Sequence, residues 1–517
     1  MFVDFNKLGV DYLLVNSTNE FLAEYSDLEE NARYLLTGFS GSTGDALWAK
    51  SGEIYLFVDG RYHTQADQEV SAKVTVVKLQ TGQKQDDEII KLIPDDAILG
   101  VVGGKVSQKR LEGFSSVNVK VLDSDPINFY TKINTNKMEE LPIEFTGKAV
   151  KEKLEELPKP IFVSNQEEVS YLLNVRDFSQ NYSSKIQGKL LIFDEKIILF
   201  TDMEAELSLE NLNVVPLCKV KEVLSGIDCR VFVDKSEINA ADFQSLKHPE
   251  PIFNPIKGMK SLKTKEEIES YKKAFEATDK ALLMTRNFIM NSDAVSEFEI
   301  AEELEKNFKK CGAKCLSFKS IVAKDKNSAL AHYSKNSKDE TVTDGSLVLI
   351  DCGAYFENGL ATDITRVFVK GEPTREMKSV YTTVLKMFLN AFNIPIEKGS
   401  NGFDADKRAR EVFAKNIIEG YSFGHGLGHG LGVNVHEAPP NLSPAEAAKV
   451  PFETGMCFTI EPGLYNPETF GIRLENSCYF ENGKINSFTK MPYEARLIDF
   501  SLLTENESKW LKEFELI

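Results

Sequence analysis

The sequence lacks a long apolar run and is poor in histidine, cysteine and tryptophan. Its 517 residues contain no stretch of about 18 apolar residues, the length of a membrane-spanning helix. The amino-terminal segment lacks the basic region and the sustained apolar region of a signal peptide. The 7 cysteines are an odd, scattered set, which predicts reduced thiols and not a disulfide framework. We therefore expect a cytoplasmic protein with no membrane partner.

Positive charge is also scarce. The formal net charge is −18, and binding to a phosphate backbone needs a clustered excess of lysine and arginine, so we expect no nucleic-acid partner. Proline and glycine are too few for a collagen-like or disordered chain. A hydrophobic content of 42% in 517 residues is that of an ordinary globular protein, and this length predicts about two to four domains.

The first half of the chain contains a diverged internal repeat. The letters YLL at 34–36 lead to GEIYLFVDGR, and the same letters at 171–173 lead to EKIILFTDME. Each copy predicts a hairpin of apolar strands followed by a helix, and hence two related α/β domains. Their boundaries are expected in the polar run at 131–142 and near NPIKGMKSLKTKEE at 254–267.

The last part of the chain reads as an α+β domain. Apolar residues at steps of three and four predict an amphipathic helix over 265–291. A second helix is expected at 297–312, where a lysine pair precedes a glycine. Strands should dominate from about residue 316, with one further helix at 376–392, so we expect a domain built around an antiparallel sheet.

Four acidic residues interrupt apolar, strand-like runs in this part. They are Asp351 in SLVLIDCG, Asp363 in LATDITRVFV, Glu461 in MCFTIEPGLY and Glu475 in FGIRLENSCYF. Any one of them alone would be read as an edge residue that faces water. Four together, each costing several kcal/mol if buried alone, predict a shared cation. Oxygen ligands with imidazole and no thiolate suit Mn²⁺, Mg²⁺, Co²⁺, Fe²⁺ or Zn²⁺ better than a structural zinc.

A glycine-rich segment between the second and third acids carries three of the six histidines. His425, His429 and His436 occur in HGLGHGLGVNVH, where the glycines disfavour a helix and allow close approach of the backbone to a crowded centre. No HExxH zincin motif is present, and no phosphate-loop motif supports the alternative of a phosphate cradle. His63 and His248 are expected at the surface. The segment therefore predicts a nitrogen ligand for the acidic cluster.

Together these motifs resemble a known family. HYSKN, LIDCGAYFENGLATDITR, GHGLGHGLGVNVHE, IEPGLY and GIRLEN are similar to the pita-bread metallopeptidases, and the layout of the chain resembles the three-domain aminopeptidase P enzymes. TGFSGSTGDALW, VDGRY, YLLNVRDF and MPYEARLIDFSLLTENESKWL extend the resemblance over nearly the whole sequence. The resemblance implies two related creatinase-like α/β domains, 1–135 and 136–258, followed by a pita-bread catalytic domain, 259–517.

The family's activity follows from the resemblance. It implies a metallopeptidase that hydrolyses the bond between an amino-terminal residue and a penultimate proline, through a hydroxide bridging two divalent ions. The ions would be Mn²⁺, with Zn²⁺ or Co²⁺ as alternatives, and the partners would be such peptides and a second copy in a homodimer. The implied metal ligands are Asp351, Asp363, His429, Glu461 and Glu475. Asp363 and Glu475 would bridge both ions, and Glu461 would also shuttle the proton.

Further residues are implied to contact the substrate. His332 and His436 would hydrogen-bond near the scissile carbonyl and the leaving nitrogen. His425 and Arg473 would line the pocket for the proline ring. A buried Arg473 two residues from Glu475 also fits a structural ion pair, and this alternative stays open.

Arg61 in VDGRY carries a separate hypothesis. In a three-domain enzyme the amino-terminal lobe can limit the length of the peptide that enters, and Arg61 would take part. The alternative is an ordinary surface arginine at the end of a strand.

Three other functions compete with this interpretation. A prolidase-like dipeptidase is a close enzymatic rival, but the fourteen-residue step from Glu461 to Glu475 and the duplicated first half look more like aminopeptidase P. Non-catalytic pita-bread binding modules, such as histone-chaperone relatives, lack several ligands, and creatinase-type enzymes work without metals. The full ligand set argues against both.

Overall fold

The computed structural model describes residues 3–24, 27–80, 82–128 and 133–517. The chain divides into two compact units, each built from several segments. The first unit contains Met1–Glu140, Val150–Val175 and Ile186–Ile256, and the second contains Leu141–Ala149, Arg176–Lys185 and Lys257–Ile517. The boundary predicted at 131–142 falls partly on 131–132, which lie outside the described residues. The three-domain division therefore stays a prediction. Within the described ranges, no helix is long and apolar enough to cross a membrane.

The first unit begins with a six-stranded sheet whose order is β4-β3-β2-β1-β5-β6. Its strands are β1 (Tyr12–Val15), β2 (Ala46–Ala49), β3 (Ile54–Val58), β4 (Val74–Lys78), β5 (Ile98–Val102) and β6 (Asn118–Leu122). The helices of this part are α1 (Phe5–Leu8), α2 (Ala32–Thr37), α3 (His63–Glu69), α4 (Gln85–Ile90) and α5 (Gln108–Gly113). Strands β1, β2 and β5 carry fully buried leucines, as expected for central strands covered on both faces.

The segment from 139 to 251 follows. Its strands are β7 (Glu139–Glu140), β8 (Ile161–Val163), β9 (Val175–Arg176), β10 (Lys189–Ile192), β11 (Ile197–Phe200), β12 (Leu212–Val215), β13 (Val231–Val233) and β14 (Pro249–Pro251). Its helices are α6 (Ile143–Thr146), α7 (Val150–Glu155), α8 (Gln166–Leu172), α9 (Val220–Ser225) and α10 (Ala240–Ser245).

The second six-stranded sheet repeats the first. Its order is β12-β11-β10-β8-β13-β14, and each neighbouring pair has the same direction as its counterpart in the first sheet. The predicted duplication is therefore confirmed at the level of topology. One detail of the prediction is wrong. Helix α3 follows the hairpin in the first copy, but the second copy passes from β11 to β12 without a helix.

The second unit consists mainly of long helices and antiparallel strands. Its main helices are α11 (Pro255–Ser261), α12 (Lys265–Asn291), α13 (Glu297–Lys310), α14 (Arg375–Phe392), α15 (Gly402–Lys415) and α16 (Glu505–Leu511). Capping boxes begin α12 and α13, at Thr264 with Glu267 and at Ser296 with Glu299. The three predicted helices are present, but the expectation of only one helix after residue 316 is wrong because α15 and α16 also form.

Two antiparallel sheets carry the acidic motifs. The strands of the unit are β15 (Val295–Ser296), β16 (Cys315–Leu316), β17 (Ile321–Lys324), β18 (Thr341–Val342), β19 (Leu347–Cys352), β20 (Ala354–Tyr355), β21 (Ile364–Val369), β22 (Gly428–Gly430), β23 (Glu437–Leu442), β24 (Cys457–Ile460), β25 (Gly463–Tyr465), β26 (Gly471–Arg473), β27 (Asn476–Glu481) and β28 (Lys484–Ser487). One sheet has the order β17-β19-β21 and the other β23-β22-β24-β27-β28. Their buried faces share one apolar core with α14 and α15.

Candidate metal centre

The five predicted ligands lie at or next to the ends of strands in the second unit. Asp351 belongs to β19, Asp363 precedes β21, His429 lies in β22, Glu461 follows β24, and Glu475 lies between β26 and β27. Asp351 pairs with Thr365 across the β19–β21 ladder, so the hairpin between the two aspartates does not disturb the register.

Three of the five side chains form a compact cluster. One ligand atom each of Asp363, His429 and Glu475 lies within 4.8 Å of the others. His429 Nε2 is 3.6 Å from Asp363 Oδ2 and 3.5 Å from Glu461 Oε1. These separations are too long for strong hydrogen bonds, and they fit two ligand atoms that each lie about 2.0–2.2 Å from one ion. Glu461 therefore joins the cluster through His429.

Asp351 is held by a buried arginine. Arg473 Nη2 donates to Asp351 Oδ2 at 2.6 Å, and Arg473 Nε donates to Thr365 Oγ1 at 3.1 Å. Thr365 Oγ1 in turn donates to Glu475 Oε2 at 2.8 Å. The structural ion pair that the sequence left open for Arg473 is therefore present, while a substrate contact by this residue stays a prediction.

Two carboxylate oxygens of the cluster are left without a donor. Asp351 Oδ1 and Glu475 Oε1 are buried, and neither has a hydrogen-bond partner among the described residues. A buried charged oxygen without a partner costs several kcal/mol. A cation at this point would supply the missing interaction.

The raised pKa values of two acids in the cluster also indicate a cation site. Burial raises the pKa of Asp363 well above the usual range of a carboxyl, and the carboxylates of Glu475 and Asp351 raise it further. Burial likewise raises the pKa of Glu475, with Glu461 and Asp351 adding to the shift. Arg473 lowers both pKa values but does not offset these effects. The donor set therefore fits divalent cations, which would let Asp363 and Glu475 ionise together.

The Nε2 atom of His429 faces the acids. Its Nδ1 is 3.0 Å from the carbonyl oxygen of Gly430, which acts as the acceptor and leaves Nε2 as the lone-pair nitrogen. The glycine before it is required by packing, because a Cβ on Gly428 would lie 2.0 Å from the carbonyl oxygen of Thr459. The glycine-rich segment therefore brings His429 against β24, as the sequence predicted.

The other histidines of the segment lie nearby. His425 Nε2 is 2.9 Å from the Tyr465 hydroxyl, which also accepts from Arg473 Nη1 at 2.8 Å. His425 Nδ1 is 2.7 Å from the carbonyl oxygen of Gly426, so its Nε2 is the acceptor for the tyrosine. The ring of His436 meets that of His429 edge to face, with centroids 4.5 Å apart.

His332 lies half-buried in the turn after residues 325–329. The carbonyl oxygen of the preceding Ala331 accepts from Arg473 Nη1 at 3.1 Å. Ala331 thereby links the backbone next to His332 to Arg473, the arginine that also holds Asp351. The roles of His332, His425 and His436 in substrate binding stay predictions.

Comparison with known proteins assigns families to three parts of the chain. The sequence model for "Metallopeptidase family M24" matches residues 269–482. Two models for a "Creatinase/Prolidase N-terminal domain" match residues 4–128 and 131–267. Residues 269–482 of this chain therefore form a domain of metallopeptidase family M24. The predicted fold class, two related creatinase-like domains followed by a pita-bread domain, is confirmed.

Relatives match the chain along its length. It is 27% identical to "Xaa-Pro aminopeptidase 1" of Dictyostelium discoideum, over 97% of this chain and 88% of the relative. It is 26% identical to "Aminopeptidase P1" of Arabidopsis thaliana, over 98% of this chain and 92% of the relative. The structure of an X-prolyl aminopeptidase from Caenorhabditis elegans, described as cytosolic with a di-nuclear active site, superposes with a TM-score of 0.87. The match has 22% sequence identity and covers 99% of this chain and 92% of the nematode chain. The resemblance to aminopeptidase P is confirmed.

A buried charge cluster supports the histidine segment of the metallopeptidase. Glu437 Oε2 lies 2.9 Å from Lys263 Nζ and 3.6 Å from Lys260 Nζ, and its Oε1 accepts from the Val433 amide at 2.7 Å. Burial alone would raise the pKa of Glu437, but the two lysines and the backbone amide outweigh it and lower the pKa to about 2. An ionised Glu437 therefore anchors the segment that ends at His436.

Arg61 lies in the first unit. Its guanidinium donates to Asp59 Oδ1 and Oδ2 at 2.9 and 2.7 Å and to Thr43 Oγ1 at 3.1 Å, and it lies over the ring of Tyr62. These contacts orient the side chain within its own unit. A role of Arg61 in substrate binding stays a prediction.

Sequence reasoning missed two polar residues of the metallopeptidase centre. Thr365 and Tyr465 both lie within the quoted motifs, in LATDITRVFV and IEPGLY. Each links Arg473 to another member of the site, Thr365 to Glu475 and Tyr465 to His425. Their position in strands next to ligands was the available signal, since a polar side chain on a buried strand needs a partner.

Proposed function

We propose that this chain cleaves peptides after an amino-terminal residue that precedes proline. This activity is that of a metal-dependent Xaa-Pro aminopeptidase, and it is supported by the family M24 domain at residues 269–482 and by relatives of that name. The observation that carries this function is the cluster of Asp363, His429 and Glu475, in a chain whose relatives along its length bear that name. Within the described residues, the buried Glu475 Oε1 of this cluster receives no hydrogen bond.

Two divalent ions would be held by Asp351, Asp363, His429, Glu461 and Glu475. We assign Mn²⁺, since oxygen ligands and one imidazole suit it, with Zn²⁺ or Co²⁺ as alternatives. The ions would polarise the scissile carbonyl and lower the pKa of a water molecule so that it can attack at neutral pH. Asp363 and Glu475 lie together with His429 and would supply ligand atoms to the ions.

The protein's own groups would move the proton and orient the peptide. Glu461, 3.5 Å from His429, is proposed to take a proton from the attacking water and to pass it to the leaving nitrogen. His332 and His436 are proposed to hydrogen-bond around the scissile bond. Arg473 fixes Asp351 and, through Tyr465, the ring of His425. This support would keep the donors in place during the reaction.

Selection for proline follows from the chemistry of the bond. A peptide bond to proline has no N–H, so a site that relies on an amide donor at that position gains nothing, whereas a pocket for the rigid ring does. We assign this pocket to the side of His425 and Arg473. The substrates are therefore peptides with proline in the second position.

A direct test compares two substrate classes. We expect release of the first residue from Xaa-Pro-Xaa peptides, with much weaker hydrolysis of Xaa-Pro dipeptides. Preference for the dipeptides would make the chain a prolidase, and no hydrolysis of either class with added Mn²⁺ would overturn the proposed function.

We also propose a cytosolic location and a homodimer. The cytosol is supported by the seven cysteines, all of them free, and by the description of the nematode protein as cytosolic. The homodimer rests on the resemblance to aminopeptidase P alone. Sedimentation of the purified chain would test the oligomeric state.

Replacing Arg61 tests the length hypothesis. If Arg61 takes part in limiting peptide length, Arg61→Ala should change the ratio of kcat/KM for a pentapeptide over a tripeptide by about fivefold, roughly 1 kcal/mol of binding. The matched control is Lys78→Ala, which removes a surface cation paired with Asp67 in the same unit. An unchanged length preference in Arg61→Ala would remove Arg61 from the substrate-binding residues.

A further inference from the structure

A second buried carboxylate lies outside the metal cluster. Glu297, the first residue of α13, has no exposed surface. Its Oε1 accepts from the Lys324 amide at 2.7 Å and from Asn327 Nδ2 at 2.9 Å. Its Oε2 accepts from the Tyr333 hydroxyl at 2.7 Å and from the Ser337 amide at 2.8 Å. Each oxygen therefore receives two short hydrogen bonds.

All four donors come from one segment, residues 324–340, which runs from the last residue of β17 to the start of β18. The start of α13 is also tied to this segment by its backbone, because the Phe298 amide donates to the Ser337 carbonyl at 3.1 Å and the Glu297 amide to the Glu340 carbonyl at 3.1 Å. Asn327 Nδ2 donates to the Tyr333 hydroxyl as well, at 3.1 Å. One buried side chain thus holds four residues of an irregular connection.

A carboxylate is the one side chain that suits this place. It offers acceptors on both oxygens, whereas glutamine would turn an N–H₂ group towards two donors. The four groups that donate to this carboxylate are uncharged. They are two backbone amides, a side-chain amide and a tyrosine hydroxyl. Such an arrangement is costly to build, and it rigidifies what it holds.

The segment contains His332. On one side of this histidine, the carbonyl of Ala331 accepts from Arg473 Nη1 at 3.1 Å. On the other side, the hydroxyl of Tyr333 is held by Glu297 at 2.7 Å. His332 therefore lies between two clamps, one from the arginine that holds Asp351 and one from the start of α13.

We propose that Glu297 and Tyr333 are positioning residues for catalysis, which fix the backbone at His332 so that its imidazole meets the substrate. The proposal rests on the proposed function, in which His332 contacts the peptide. Tyr333 acts through its hydroxyl, and its ring packs in the core of the unit. Loss of the hydroxyl should loosen the turn without removing the ring.

A double-mutant cycle separates positioning from general stability. The variants are Tyr333→Phe, His332→Gln and the double variant, assayed as Mn²⁺-loaded full-length chains on an Xaa-Pro-Xaa peptide. The matched control is Tyr381→Phe, which also removes a buried hydroxyl, one that accepts from the Glu494 amide at 3.0 Å in the same unit. Glu297→Gln is a second, harsher variant of the same clamp.

Coupling between Tyr333 and His332 is the expected result. His332→Gln should lower kcat/KM by about 100-fold or more, as expected for a group at the reacting bond. Tyr333→Phe should lower kcat/KM about tenfold in the wild-type background, mainly in kcat, and less than about twofold when His332 is already Gln. Tyr381→Phe should leave kcat/KM within about twofold, although both tyrosine variants lower the melting temperature similarly.

Other outcomes overturn the proposal without touching the proposed function. If the wild-type chain cleaves the peptide but Tyr333→Phe has full activity, or loses the same factor in both backgrounds, Tyr333 does not position His332. An active His332→Gln enzyme would leave nothing to position. If the wild-type chain itself is inactive on every Xaa-Pro peptide, the proposed function fails and the proposal fails with it.

Discussion

Glu461→Gln should lower kcat by about 1,000-fold or more while the chain stays folded. The side chain is proposed both as a ligand and as the group that moves the proton, and a positioned acid or base alone contributes about 10²- to 10⁴-fold. Glutamine keeps the shape of the side chain but can neither accept the proton nor supply the charge. Steady-state kinetics on an Xaa-Pro-Xaa peptide, with circular dichroism of the same sample, measures both parts of the prediction.

The matched control for Glu461→Gln is Glu446→Gln, which changes an exposed glutamate of the same unit that pairs with Lys449. This variant should behave as the wild type. A Glu461→Gln enzyme with more than about a tenth of wild-type kcat would contradict the assigned mechanism.

Glu475→Gln should separate metal binding from the stability of the metal-free chain. In wild type, saturating Mn²⁺ should raise the free energy of unfolding by about 3–4 kcal/mol at 100 to 1,000 times the dissociation constant. The variant should lose most of this gain together with activity. Without metal, however, it should be at least as stable as wild type, because it removes one of four crowded carboxylates. Burial raises the pKa of Asp363, and repulsion from the other carboxylates raises it further.

Thermal unfolding with and without Mn²⁺ measures both effects of Glu475→Gln. Asp279→Asn is the matched control, since Asp279 is a carboxyl on α12 outside the cluster whose pKa burial raises to about 6. It should keep the full Mn²⁺-dependent gain. A Glu475→Gln chain that gains as much from Mn²⁺ as wild type would remove Glu475 from the ligands.

Much of the fold was predictable because its signals are local. The helix over 265–291 was predicted from its periodicity, and the capping box at Thr264 and Glu267 explains why it starts there. The repeated strand patterns in the first half of the sequence predicted two related domains, and the structure contains two sheets of the same topology there. Helix α15 was missed although Asn401 and Asp404 form a capping box before it, so here the signal was present in the sequence.

The candidate site was predictable in its ligand types but not in its supports. An acidic residue within an apolar strand can be recognised in the sequence as a candidate ligand, because burying a carboxylate without a partner is too costly. The partners of Arg473 cannot be read in this way, since Asp351 and Tyr465 lie 122 and 8 positions away and only the folded sheets bring them together. For the same reason, nothing near Glu297 in the sequence indicates that its four donors lie 27 to 40 positions later.

Metal analysis of the purified chain tests the central claim, that two divalent cations allow the buried acids to ionise together. After loading with Mn²⁺ and removal of free metal, we expect two ions per chain, loss of Xaa-Pro cleavage on chelation, and recovery when Mn²⁺ is returned. Crystals of the loaded protein should show both ions among Asp351, Asp363, His429, Glu461 and Glu475. Full cleavage by a chain without bound metal, or loaded crystals in which these side chains point apart with no ion between them, would contradict the account.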